Sequence, residues 1–193
     1  MTVKLTHART LKVINACQKL LRKPHCIIES LAEVIGLMVS SFPGIEYGPL
    51  HYRSLESDKT KALRHNKEDF SASMSLSANS RAELQWWADH LPTAFKAISH
   101  GKADMVIQTD ASSQERGGVK GDKRTRGRWT PEEASNHINY LKLLGIFLSL
   151  KALCGTCSNT HIQVQCDNTT AVYQINNMGG SGSIPCNSIT KQI

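Results

Sequence analysis

Apolar residues recur through the first half of the chain at the three- and four-residue spacing of helices. Leu11, Ile14, Cys17 and Leu21 share a face after Thr6, a residue type that caps helix starts, and Pro24 ends the run. A second helix is predicted from Ile27 to Ser40, apolar nearly all round and closed by Phe42-Pro43-Gly44. Gly48-Pro49 opens a third, in which Tyr52, Leu55, Lys59 and Leu63 share a face. A fourth covers Asn79 to His90, with Pro92 shortly beyond. It holds Trp86-Trp87; adjacent tryptophans on an apolar helix read as core, and stacking on bases is the other use of such a pair.

The pattern changes at Asp104. "DMVIQTDAS" is a short β-branched run ending in turn residues, and Gly117-Gly118-Val119 and Gly127-Arg128-Trp129 mark two more strands around the basic turn "KGDKRTR". Thr130-Pro131-Glu132-Glu133 is a capping box with proline at the first helical position. A helix from Asn136 to Leu153, a strand from His161 to Cys166 and a helix from Asn168 to Asn177 follow, the last broken by "MGGSGS". The order β-β-β-α-β-α implies a mixed sheet with helices packed on it. The predicted class is therefore α+β, with a helical segment in 1–103 and a sheet-bearing domain in 104–193.

The formal net charge is +7, which favours polyanionic partners, nucleic acid first. Five of the cations, Lys120, Lys123, Arg124, Arg126 and Arg128, crowd the predicted hairpin and are the candidate phosphate grip; a solvated turn is the plainer reading. No apolar leader follows Met1, and the longest apolar run, near Ile27 to Val39, is too short and too polar to span a bilayer. An intracellular protein, cytoplasmic or nuclear, with reduced cysteines and no membrane partner is expected. Cys154, Cys157, His161 and Cys166 approach the spacing of a zinc knuckle, yet "HIQVQC" alternates as a strand and sends His161 and Cys166 to opposite faces, so no zinc is expected.

Two carboxylates stand at comparable places: Asp110 ends the first strand of the sheet and Asp167 ends the fourth. Residues just beyond adjacent strand ends converge on one crevice, where paired acids hold hard cations such as Mg2+. From spacing alone, the favoured reading is that each acid simply caps the turn or helix after it. Lys142 raises a separate problem, because its neighbours Leu141, Leu143, Leu144, Ile146 and Phe147 are apolar and a buried, unpaired ammonium costs several kcal/mol. Lys142 shares a helical row with Ile138, Gly145 and Ser149.

"TDAS", "GRWTPEEASNHINYLKLL" and "CDNTTAVYQIN" together resemble the ribonuclease H domain of retroelement reverse transcriptases, the DIRS-type elements in particular. Upstream, "LAEVIGLMVSSFPGIEYGPLHYRSLESDK" and "LSANSRAELQWWADHL" resemble the thumb and connection segment before that domain. The resemblance implies a five-stranded mixed sheet and an endonuclease that cuts RNA in RNA–DNA hybrids. It also implies two Mg2+ ions about 3.5–4 Å apart on four carboxylates, with the rest of a reverse transcriptase polyprotein as partner. Asp110 and Asp167 match two of those acids.

The same resemblance exposes departures. Lys142, directly after His137-Ile138-Asn139-Tyr140-Leu141, stands where the family has a glutamate. An Mg2+ ion about 4 Å from an ammonium meets roughly 8 kcal/mol of repulsion at an effective dielectric near 20, against about 4 kcal/mol for millimolar binding. Lys142 is therefore expected to pair with Asp110 and Asp167 in place of metal; the other outcome is a lysine that snorkels to water. The family's last strand and helix, with a fourth carboxylate, have no counterpart by Ile193, and "SQERGGV" replaces a small-aromatic-small turn. Glu115 in that turn is not expected to substitute as a ligand. The expectation is a degenerate, inactive fragment, or a non-catalytic nucleic-acid-binding or scaffold protein that keeps only the fold.

Overall fold

A computed structural model describes residues 1–99, 101–179 and 183–193. Its contacts divide the chain into two units, Met1–Ser99 and His100–Ile193.

The first unit runs β1 (Thr2–Val3), α1 (His7–Leu21), β2 (His25–Ile27), α2 (Ile28–Val39), α3 (Arg53–His65), β3 (Ser73–Ser75), α4 (Ala78–His90) and β4 (Lys96–Ala97). Thr6 caps α1 by accepting from the Arg9 amide. The row Val13, Cys17 and Leu20 then meets Ile28, Leu31, Ile35 and Met38 of α2 in the core. Gly48-Pro49 forms a separate 3-10 turn, Gly48–Leu50, and the third helix begins only at Arg53.

Helices α3 and α4 cap each other. Glu83 of α4, 3% exposed, accepts from the Ser54 and Leu55 amides at 3.0 and 3.3 Å and from the Ser54 hydroxyl. Asp58 of α3 in turn accepts from the Ser77 amide at 2.8 Å and the Ser80 hydroxyl at 2.6 Å. Carboxylates at helix N-termini satisfy orphan amides and oppose the helix dipole, so burying Glu83 is offset by the bonds it accepts. Trp87 is fully buried and donates to the His51 carbonyl at 2.7 Å. Trp86 is half-buried between the His51 and His90 rings, at centroid distances of 3.8 and 4.7 Å.

Strand pairs β1–β4 and β2–β3 are additions to the helical reading. Strands of two residues, or of three that bury one side chain apiece, Cys26 and Met74, show no readable alternation.

The second unit comprises β5 (Met105–Ala111), β6 (Glu115–Lys120), β7 (Lys123–Arg128), α5 (Pro131–Ala134), α6 (Ile138–Cys154), β8 (Ile162–Gln165), α7 (Thr169–Asn176) and α8 (Ile184–Thr190). This is an α+β fold with a mixed sheet in the order β7-β6-β5-β8, β8 alone running parallel to its neighbour. Gly121, at φ 55°, supplies the left-handed residue of the two-residue turn between β6 and β7.

Ile107, Thr109 and Ala111 of β5 are buried on the face covered by α6, and Val106, Gln108 and Asp110 lie on the other face. Small residues let α6 close on the sheet. A Cβ on Gly118 would stand 2.5 Å from the Ser149 Oγ, and one on Gly145 would stand 3.2 Å from the Ala111 Cβ.

Helix α8 follows the last predicted element and is a correction to the sequence reading. It docks partly through polar groups: Gln174, 1% exposed, donates to Asn187 at 2.7 Å and Thr190 at 3.3 Å. Gly180 to Gly182, within the predicted "MGGSGS" break, lie outside the described residues.

Candidate functional site

Strands β5 and β8 pair in parallel register with Gln108 opposite Gln165. Two residues further along the chain from that pair, Asp110 near the end of β5 and Asp167 just past the end of β8 reach the same end of the sheet. That is the crevice where open α/β sheets place their ligands.

The third member comes from α6. Lys142, Gly145 and Ser149 are buried on its sheet-facing row, and Ile138, at the helix start, is exposed. The approach that Gly145 permits brings the Lys142 ammonium to 2.6 Å from Asp110 Oδ1 and 2.6 Å from Asp167 Oδ1. The Lys142 side chain is 10% exposed, against 79% and 70% for the two aspartates. The cation thus lies inward and the carboxylates outward.

These contacts set the protonation states. Hydrogen bonding from Lys142, opposed by partial burial, holds the Asp110 carboxyl below its ordinary range, with help from the Ala111 amide at 2.7 Å. Burial pulls the Lys142 ammonium down, but its hydrogen bonds to Asp110 and Asp167 outweigh that effect and leave it raised. Lys142 stays charged at neutral pH.

A clasp of neutral side chains, not foreseen from the sequence, holds the surroundings. Asn168 caps α7 by accepting from the Ala171 amide and donates to Asn139 on the first turn of α6 at 3.1 Å. His137 caps α6 by accepting from the Asn139 amide at 3.2 Å, which explains a helix start two residues later than predicted. The signal was present in "HIN" and "DN", but amide pairing across elements has no periodicity to reveal it.

The chain departs from what magnesium needs. Mg2+ takes an octahedral shell of oxygen ligands, whereas the position between these carboxylates is held by an ammonium. Among the described residues, no group of three or more His, Cys, Asp or Glu side chains is arranged to hold a metal. The residues present do not fit the ion.

No family model and no curated protein matches this sequence. Among solved structures, a foamy viral protease-reverse transcriptase dRH in complex with double-stranded DNA aligns with 97% of this chain at 14% identity and a TM-score of 0.40. A foamy viral protease-reverse transcriptase in complex with an RNA/DNA hybrid aligns with 97% at 13% identity and a TM-score of 0.38. This chain spans 32% of the first and 25% of the second. Likeness at that level assigns neither family nor activity.

The five hairpin cations separate by strand alternation. Arg124 and Arg126 stand opposite Val119 and Gly117, which stand opposite Gln108 and Asp110, so Arg124, Arg126 and Arg128 lie on the face away from α6. Lys120 and Lys123 belong to the other face; the Lys120 ammonium donates to the Leu153 carbonyl at 3.3 Å, where it opposes the dipole at the end of α6. Glu115 pairs with Arg126 at 2.8 Å and not with the acid pair. Of the four residues considered for zinc, Cys154 is buried and Cys157 exposed. Among the described residues, no helix is long and apolar enough to cross a membrane.

Proposed function

We propose that this chain is a ribonuclease H-like piece of a reverse transcriptase, of DIRS-type retroelement descent, that no longer cuts. One observation carries the reading: a lysine ammonium hydrogen-bonded to two aspartates at the ends of adjacent parallel strands. The motif resemblance makes those aspartates former metal ligands and places a glutamate where Lys142 stands. The ammonium cancels half of the charge that would attract Mg2+ and occupies its place. What remains is a nucleic-acid-binding or scaffold role for a cytoplasmic or nuclear protein, with an RNA–DNA hybrid as ligand and the remainder of a polyprotein as partner.

The test is hybrid cleavage in Mg2+ by the native chain and by Lys142→Glu, after circular dichroism shows both folded. The native chain is expected to be silent and Lys142→Glu to gain Mg2+-dependent cleavage that Asp110→Asn removes. Cleavage by the native chain would sink the reading of Lys142 as a disabling charge. Silence from both proteins would count against nuclease descent.

A further inference from the structure

The sheet face away from α6 carries a row of three arginines, Arg124, Arg126 and Arg128. Strand β7 is an outer strand, and Arg124, Arg126 and Arg128 are all exposed on that face. Alternate residues along a strand lie about 6.8 Å apart, a spacing comparable with that of consecutive phosphates along one nucleic-acid strand. Arg126 shares its guanidinium with Glu115; Arg124 and Arg128 have no carboxylate partner among the described residues. Beside them, Gly117 and Val119 keep the face low, and a shallow trough of about 660 Å³ lies over β5, β6 and β7. Arg126, Gly117 and Asp110 stand in line across the three strands, so the arginine row runs two strand spacings, about 10 Å, from Asp110.

We propose that Arg124, Arg126 and Arg128 form a ladder that grips the phosphate backbone of one strand of an RNA–DNA hybrid. The planar guanidinium matches phosphate oxygens two at a time, and the outermost strand leaves it open to approach from the side. The choice of a hybrid rests on the function proposed above; the charge row does not. Lys120 and Lys123 take no part.

The experiment is fluorescence anisotropy of a short labelled RNA–DNA hybrid with the full chain, without Mg2+, across a salt series. The double variant Arg124→Gln/Arg128→Gln is expected to bind on the order of tenfold more weakly and to lower the salt slope by nearly two, about 0.9 for each phosphate no longer neutralised. Lys123→Gln, exposed on the other face, is expected to bind as the native chain does. Glu115→Gln is expected to tighten binding by releasing Arg126. Circular dichroism confirms that each variant is folded. Failure of the native chain to bind, equal weakening by Lys123→Gln, or no weakening by the double variant would each overturn the ladder. The two proposals fail separately. Binding through Arg124 and Arg128 with Lys142→Glu silent in cleavage keeps the ladder and counts against nuclease descent; cleavage by Lys142→Glu with binding indifferent to both arginines does the reverse.

Discussion

Lys142 is tolerable inside the fold because two carboxylates meet it at 2.6 Å. The pH dependence of that arrangement follows from the two shifts. Asp110 is depressed, so its contribution is complete above the ordinary carboxylate range and is lost as pH falls through its lowered folded value. Lys142 is raised, so its contribution is complete below its ordinary value of 10.5 and is lost as pH rises through the raised one. Lys142→Met leaves the two acids repelling each other. Because both are mostly exposed and screened, it is expected to cost only about 1 kcal/mol near pH 7. In urea melts of the two proteins, that difference is expected to narrow as pH falls below the ordinary carboxylate range and to close only once Asp110 protonates at its lowered value; a gap unchanged across the range would show that the aspartates do not supply it. The sequence made the three residues legible for different reasons. Both acids sit at strand ends, and Lys142 stands out because its neighbours are apolar. The Asn139–Asn168 clasp lacked any such contrast.

Helices α1, α2, α3 and α4 were legible because their apolar rows are long and their caps or flanking prolines are visible, and strand β5 because its β-branched run ends in turn residues. Two kinds of element were not. The short strand pairs are too brief to show a period. Helix α8 hides its docking in Gln174, Asn187 and Thr190, which a hydrophobic pattern counts as surface, although Ser183 before Ile184-Pro185 is a readable helix start. The close seating of α6 is equally a matter of what is missing. Gly118→Ala would press a methyl group into Ser149, and overpacking of this kind is expected to cost about 1–3 kcal/mol. Ser149→Gly in the same protein is expected to recover part of that loss, read as a Tm increase over Gly118→Ala alone. Strictly additive losses would show that the two residues do not press on each other.

Across the whole chain, the basic excess is shared. Residues 1–99 hold thirteen Lys and Arg against nine Asp and Glu, and the remainder holds ten against seven. The two-part organisation was visible as a change of period at Asp104, while the fold divides at Ser99 and His100. What the sequence did not show was the separation of cations between faces: "KGDKRTR" reads as one cluster, and only strand register splits it.

The ammonium between Asp110 and Asp167 also bears on what the fold requires from its surroundings. A site with three carboxylates, as in Lys142→Glu, gathers like charges that a divalent ion relieves, and a ligand that binds only the folded state raises its stability. Lys142→Glu is therefore expected to melt lower in a chelator and to recover as Mg2+ is added, while the native chain melts at one temperature in both. A metal-dependent native Tm would contradict the arrangement described. The cation between Asp110 and Asp167 is thus supplied by the chain's own sequence.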